Sequence, residues 1–242
     1  MKKRFKYLLA GILIVMILGF IGVYYIAPYG ITQPPRVKVS TTPNELGLIS
    51  KTLVIETKDD IELRGYWIMS KTDTTKGIVI LIHGIGGCKE HFLNLANELS
   101  KKGIASIVFD GRAHGQSGGK FCTYGFKEKM DVAQIVDKIK QQEPNLPIGV
   151  WGNSLGGAIA IQSLEYDNRI EFGIIESTFT DLNQIVYDYK RRILKGVGIR
   201  SVSDYALRRA GKIADFDPLQ VSRLNPLVIL NNQFYWPMEI LT

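Results

Sequence analysis

The chain has 242 residues, 45% of them hydrophobic, which is enough for a membrane segment and one domain of about 200 residues. Its net charge is +7, but Lys2, Lys3, Arg4 and Lys6 supply +4 of this before the first apolar segment begins. The remaining +3 does not indicate a nucleic-acid-binding surface, so we predict no nucleic acid partner.

The first element is an apolar segment at residues 7–26, in which 20 successive residues carry no charge. A helix of this length spans a hydrocarbon layer of about 30 Å. The basic flank at residues 1–6 predicts a cytoplasmic N-terminus and a globular part on the outer side. A cleaved signal peptide is the alternative, but its apolar core would usually be only about 7–15 residues long. We therefore predict an uncleaved signal anchor that contacts membrane lipid.

Residues 27–50 begin with a stretch rich in Pro and Thr and are predicted to form an extended linker, after which residues 51–242 form one domain. Two β-rich segments at 53–57 and 61–69 predict a β-hairpin. Apolar and amphipathic segments then alternate, which predicts buried strands at 77–82, 104–109, 147–151 and 172–175 and helices at 90–102 and 126–142. This alternation implies an α/β fold with a mostly parallel sheet covered on both faces.

Residues 182–219 interrupt the alternation and are predicted to form two or three short helices, a small lid over one edge of the sheet. Between Val186 and Lys212 the lid includes eight basic and two acidic residues. A solvated helical face explains this charge, and a surface for anionic lipid headgroups or an anionic substrate is the alternative.

The two cysteines, Cys88 and Cys122, are predicted to lie on loops along one edge of the sheet. Two interpretations stay open, a disulfide in an exported domain or two free buried thiols. So few potential ligands do not indicate a metal site, and we predict neither a metal nor a cofactor.

The most informative motif is Gly152-Asn153-Ser154-Leu155-Gly156, a G-x-S-x-G pattern between an apolar strand and a helix-forming segment. A serine on such a turn has a strained backbone, and Gly152 and Gly156 are required because a Cβ would collide with the neighbouring strand and helix. The hydroxyl then lies at a helix N-terminus, which favours a developing oxyanion. Ser154 is therefore the predicted nucleophile, with an ordinary Gly/Ser turn as the alternative.

Together with other segments, this motif resembles the α/β-hydrolase superfamily, near its serine-aminopeptidase-like and esterase-like branch. The segments that carry the resemblance occur in the expected order at 57–67, 82–87 (Ile-His-Gly-Ile-Gly-Gly), 110–118 (Asp-Gly-Arg-Ala-His-Gly-Gln-Ser-Gly), 152–157 and 176–180. The resemblance implies an α/β-hydrolase fold with an N-terminal β-hairpin, a small helical lid and missing last strands.

The resemblance also assigns roles to individual residues. Ser154 would be the nucleophile, and the backbone N–H groups of Leu155 and Ile85 would form the oxyanion hole. His83 would be structural, with its ring beneath the loop, and His114 would order loops without transferring protons. In the 110–118 segment, Ala113 stands where the family pattern has a glycine.

The order of the catalytic triad raises a difficulty. In this superfamily the acid and then the histidine follow the serine, but His83, His91 and His114 all precede Ser154. Glu176 and Asp181 follow a strand and are the candidate acids, although neither replaces the base. An acid-bearing strand could begin at 227–230, but the expected glycine and aspartate do not follow it. We therefore expect a C-terminally truncated hydrolase, altered near residue 225, with a natural pseudoenzyme as the alternative.

These features together predict a membrane-anchored serine hydrolase that cleaves ester, thioester or amide bonds through an acyl-enzyme on Ser154. Its substrate would be a small-molecule, lipid or peptide acyl compound. Loss of a triad member typically lowers turnover by about 10⁴–10⁶, so we expect weak or no activity as written. The alternatives are a non-catalytic membrane-tethered binding module on the same fold and a lipid binder that acts through the basic lid.

Overall fold

The structure is a computed structural model that describes residues 2–193 and 195–221. Six strands of the described chain form one sheet with the order β1-β2-β4-β3-β5-β6, and their bounds are β1 Ser50–Glu56, β2 Glu62–Ile68, β3 Gly77–Ile82, β4 Ile104–Phe109, β5 Ile148–Asn153 and β6 Ile170–Glu176. The β1–β2 hairpin joins β4 in antiparallel pairing, whereas β4, β3, β5 and β6 are parallel. The sheet is therefore mostly parallel, as the sequence predicts.

Two α-helices precede the first strand in the chain, and the later ones lie between the strands or follow them. Their bounds are α1 Lys2–Ile21, α2 Ala27–Thr32, α3 Leu93–Lys101, α4 Glu128–Gln142, α5 Leu155–Tyr166, α6 Leu182–Ile193, α7 Arg200–Ala214 and α8 Pro218–Val221. A π-helical turn at Gly22–Ile26 joins α1 to α2, and two 3₁₀ turns lie at Asn44–Leu46 and Lys89–Phe92. The predicted lid region thus contains α6, α7 and the start of α8, while the predicted strand at 227–230 lies outside the described residues.

The cover on both faces of the sheet explains why the central strand β3 has no polar position. In β3, Ile78, Ile80 and Ile82 pack on one face with α4, α5 and α7, while Val79 and Leu81 pack on the other face with α3. Side chains alternate between the faces of a strand, so a strand covered on both sides buries every residue. All six residues of β3 are buried, as are all six of β4.

The N-terminal helix is long and apolar. Residues Lys3–Thr32 form a nearly continuous helix of 30 residues, and its most apolar 18-residue window has a mean hydropathy of 2.5 and is not buried against the domain. This length and composition suffice to cross a membrane, a property that signal anchors share with signal sequences.

The end of this helix packs into the domain. Residues 27–32, predicted as part of an extended linker, instead form α2, and the side chain of Thr32 is fully buried. The Cys122 N–H donates a hydrogen bond of 2.8 Å to the Thr32 carbonyl, and the Tyr124 hydroxyl donates one to the Ile31 carbonyl. About two turns earlier, Arg209 of α7 donates to the Tyr24 carbonyl at 2.8 Å. These tertiary contacts hold the chain in a helix where its composition indicated a linker.

Both cysteines are free thiols in the structure. Cys88 and Cys122 are each buried, and burial raises the pKa of both groups. Of the two open interpretations, the structure therefore has the pair of buried thiols.

Candidate active site

Ser154 occupies the sharp turn between β5 and α5. Its backbone angles are φ 53° and ψ −115°, a conformation that costs a non-glycine residue of the order of 1–3 kcal/mol and persists only where its surroundings enforce it. The Ser154 N–H donates to the Glu176 carbonyl of the adjacent strand at 2.8 Å. The Ser154 carbonyl accepts from the N–H groups of Gly157 and Ala158 at 3.0 and 3.2 Å. The turn is thus held by hydrogen bonds to β6 through the Ser154 N–H and to α5 through the Ser154 carbonyl.

The glycines around Ser154 allow an unusually close approach of three chain segments. A Cβ on Gly156 would lie 1.9 Å from the Ile82 carbonyl oxygen, and one on Gly152 would lie 2.1 Å from the Gly156 oxygen. Because both contacts are with backbone atoms, no side-chain movement would relieve them. The glycines of the G-x-S-x-G pattern are therefore steric requirements of the turn.

The loop after β3 runs directly beside Ser154. A Cβ on Gly84 would lie 3.4 Å from Ser154 Cβ, so the two backbones are in near contact. A hydrogen bond of 3.0 Å from the Gly87 N–H to the Gly84 carbonyl closes this loop into a turn, with Ile85 in its middle. Leu155 is the first residue of α5 and is buried. The two residues predicted to donate to an oxyanion therefore lie on the two segments that border Ser154.

His83 joins this loop to the one that follows β4. Its ring is buried, Nε2 accepts a hydrogen bond of 3.0 Å from the Gly111 N–H, and Nδ1 donates one of 2.8 Å to the Gly84 carbonyl. Burial, together with the nearby ring of His114, lowers the pKa of His83 to about 4. His83 is therefore neutral near pH 7, and both of its nitrogens are engaged by backbone groups.

The loop that follows β4 is organised around the buried carboxylate of Asp110. It accepts hydrogen bonds of 2.8 Å from the N–H groups of Lys89 and Gln116, and it pairs with Lys89 Nζ at 2.9 Å. A Cβ on Gly115, which has φ 45°, would lie 2.2 Å from Asp110 Cγ, so this position also requires glycine. The role of Lys89 has no sequence signal, because its partner is 21 residues away.

His114 lies in the middle of the same loop. Its Nδ1 donates to the Arg112 carbonyl at 2.9 Å, the ring is buried, and burial lowers its pKa. The Arg112 guanidinium donates to both carboxylate oxygens of Asp131, at 2.8 and 2.6 Å, and reaches Asp59 at 2.9 Å. Ala113 has φ 62°, the left-handed conformation that explains why the family pattern has a glycine there.

The two candidate acids lie at the end of β6 and beyond it. Glu176 is the last residue of β6, pairs with Asn153 in the sheet, and has an exposed side chain. Asp181 Oδ1 accepts a hydrogen bond of 2.9 Å from the Gln184 N–H and so caps the first turn of α6. Within residues 2–193 and 195–221, no histidine nitrogen is hydrogen-bonded to Ser154, Glu176 or Asp181.

A mostly parallel sheet, a strained Gly-x-Ser-x-Gly turn and a His-Gly loop beside it define the α/β-hydrolase class. Residues 73–210 match the model of the serine aminopeptidase S33 family, and the chain belongs to that family. The predicted α/β-hydrolase fold, with its mostly parallel sheet, and the family resemblance are therefore confirmed.

Solved structures and curated proteins agree with this assignment. An esterase from Pyrococcus furiosus superposes with a TM-score of 0.61 and 30% identity, over 74% of this chain and 68% of that one. The quorum-quenching protein AidA of Acinetobacter baumannii is 29% identical over 132 residues, which are 51% of this chain and 42% of AidA. Human monoglyceride lipase is 35% identical over 98 residues, which are 40% of this chain and 32% of the lipase. The chain thus spans less than half the length of these two curated relatives, and the esterase and lipase relatives support a serine-hydrolase-type function.

Proposed function

We propose that the protein is a membrane-anchored serine hydrolase in which Ser154 attacks the carbonyl carbon of an ester, thioester or amide. The strained backbone of Ser154, held at φ 53° between β5 and α5, is the observation that carries this proposal. Such strain persists where function requires it, because an ordinary turn would relax into a common conformation. The close passage of Gly84 beside Ser154 supports a role of the neighbouring Ile85 N–H in the oxyanion hole.

The proposed reaction proceeds through an acyl-enzyme. The Ser154 hydroxyl oxygen bonds to the carbonyl carbon, and the negative charge that develops on the carbonyl oxygen is stabilised by the N–H groups of Leu155 and Ile85. Collapse of this intermediate breaks the bond to the leaving group, which departs as an alcohol, thiol or amine carrying the proton that the serine lost, and an acyl group remains on Ser154. Water then attacks the acyl carbon, one of its protons returns to the Ser154 oxygen, and the acyl group leaves as a carboxylic acid.

The general base limits this reaction. Serine near neutral pH is a weak nucleophile unless an adjacent base accepts its proton. His83 has both nitrogens engaged and His114 is buried in its own loop, so neither histidine is available for that role. Glu176 and Asp181 remain the candidate acids. We infer that the 242 residues by themselves retain only the contribution of the oxyanion hole and binding, about 10³–10⁴ over water.

The contacts at the end of the N-terminal helix favour a retained anchor over a cleaved signal sequence. Cleavage after residue 26 would separate Tyr24 from Arg209, whose guanidinium lies 3.5 Å from the centre of the Tyr24 ring. The basic N-terminal flank favours a cytoplasmic N-terminus, with the hydrolase domain on the outer side. In this arrangement α6 and α7 form a lid, and a lipid or small-molecule acyl compound is the substrate.

A fluorophosphonate probe tests the nucleophile on the full chain in detergent micelles. We expect slow covalent labelling at Ser154, located by peptide mass spectrometry, and no labelling of Ser154→Ala. Ser163 on α5 offers a matched control, because its hydroxyl is buried and donates to the Ile159 carbonyl, so Ser163→Ala should label like the wild type. Equal labelling of the wild type and Ser154→Ala would refute the activated serine. Absence of labelling in both would favour a non-catalytic binding module on the same fold, since His83 has both nitrogens engaged and His114 is buried in its own loop.

A further inference from the structure

Residues 33–36, which follow α2, contact both the loop after β3, which runs beside Ser154, and the loop after β4. One guanidinium, that of Arg36, donates to several backbone carbonyl groups of the loop after β4. The distances are 3.3 Å to the His114 oxygen, 3.2 Å to the Gly115 oxygen and 2.7 Å to the Gly119 oxygen, and a further short bond reaches the Ser117 oxygen. The residues it joins are 78 to 83 positions apart in the chain.

The arrangement of these carbonyl groups requires a cation. Four carbonyl oxygens that converge on one point repel one another, because each is the negative end of a peptide dipole. A guanidinium offsets this repulsion, since it is always charged and its five N–H donors form a planar fork. A lysine ammonium in the same place would supply the charge, but only three donors from a single atom.

The preceding residue contacts the other loop. A Cβ on Gly86 would lie 3.3 Å from Pro35 Cγ, so the proline ring covers this glycine, whose φ of 68° already favours glycine. Gly86 directly follows Ile85, the proposed oxyanion donor. The two loops also bind each other through the His83–Gly111 hydrogen bond. The segment that leaves the anchor helix thus contacts at once the loop that borders Ser154 and the loop that His83 joins to it.

We propose that Arg36 is a positioning residue of the active site, which fixes the loop after β4 and, with Pro35 and His83, the turn that presents the Ile85 N–H. The inference rests on the proposed function of Ser154 for its catalytic consequence, whereas the loop geometry stands on its own contacts. Arg36 touches no reacting atom and acts through the loops. The segment after the anchor helix is therefore a structural part of the site as well as a tether.

Amide hydrogen exchange on the full chain in detergent micelles tests the loop geometry. Arg36→Ala should accelerate exchange by about tenfold in residues 83–87 and 111–119, because charge-assisted hydrogen bonds that close these loops are lost. Arg36→Lys should give a smaller acceleration, and it carries the test if the alanine variant does not fold. The control Lys38→Ala removes a positive charge from the same segment and should leave both loops unchanged. Unchanged exchange in Arg36→Ala would overturn the proposal.

Labelling by the fluorophosphonate probe tests the consequence at Ser154. The limiting labelling rate should fall by about tenfold in Arg36→Ala, with no change in the probe concentration that gives half of that rate. Added guanidinium ion should restore part of the rate in Arg36→Ala and have no effect on Lys38→Ala. Faster exchange without a change in the labelling rate would overturn the positioning role. If the wild type is not labelled, the proposed function fails, and the exchange experiment alone decides whether Arg36 holds the loops.

Discussion

Protonation of His83 should destabilise the folded protein in a defined pH range. The folded protein holds this ring with Nε2 accepting from the Gly111 N–H at 3.0 Å, so a proton on Nε2 would face another donor. Burial lowers the pKa of His83 to about 4, compared with an ordinary value of 6.5. Between these two values the unfolded chain binds a proton at this position and the folded chain does not.

The sign and size of the effect follow from this difference. Stability is greatest above pH 6.5 and falls as the pH decreases toward 4, because protons bind the unfolded state preferentially. Each pH unit changes the free energy of unfolding by about 1.4 kcal/mol, so the whole window is worth roughly 3 kcal/mol. Below pH 4 both states carry the proton, and His83 contributes no further loss.

Urea unfolding of the full chain in micelles, measured from pH 4 to 8, provides the assay. His83→Gln is the matched variant, since its carboxamide does not titrate and its oxygen can accept the same hydrogen bond. Other groups titrate in this window, such as Asp131, whose pKa burial raises to about 6 and whose effect has the opposite sign. Because these groups titrate in both proteins, their contributions cancel when the free energy of unfolding of the variant is subtracted from that of the wild type. If the free energy of unfolding changed with pH in the same way for the two proteins between pH 4.5 and 6.5, a buried neutral His83 would be refuted.

Three further substitutions test the loops and the turn by the free energy of unfolding. Gly156→Ala places a methyl group 1.9 Å from a backbone oxygen and should lower the free energy of unfolding by more than about 4 kcal/mol. The control Gly30→Ala meets nothing within 4 Å and should be neutral. Equal stability of the two variants would contradict the crowding at Gly156. Ala113→Gly should stabilise the protein by up to about 1 kcal/mol by relieving φ 62°, and a destabilisation would contradict that strain. Lys89→Met should cost about 3–5 kcal/mol, because it leaves the buried Asp110 carboxylate without its cation, while Lys101→Met, at an exposed ion pair, should change little. A small effect of Lys89→Met would contradict the importance of the buried Lys89–Asp110 ion pair.

The sheet and the turn at Ser154 could be predicted because their requirements are local. The apolar run at 77–82 has no polar position because β3 is covered on both faces, and this pattern is visible in any sequence. The glycines at 152 and 156 could also be predicted, since a Cβ at either position would collide with a backbone atom a few residues away or on an adjacent strand.

The contacts of residues 24–36 could not be predicted because they are tertiary. Pro28 and the following residues have the composition of a linker, yet α2 forms because Tyr124 and Cys122 of the folded domain bind its carbonyl groups. Arg36 has no periodicity or motif that marks it, and its acceptors are backbone atoms of residues far along the chain. Local propensity is a weak prior wherever such contacts decide the conformation.

If α1 spans a bilayer, as proposed, the docking of α2 has a mechanical consequence. Thr32 is buried in the domain, and only three residues separate it from Arg36, which is hydrogen-bonded to the loop after β4. Because α2 and Arg36 are both fixed to the domain, any tilt of α1 in the bilayer would rotate the candidate site by the same angle. Bilayer thickness, which sets helix tilt, would then decide which depth of the headgroup layer the serine can sample.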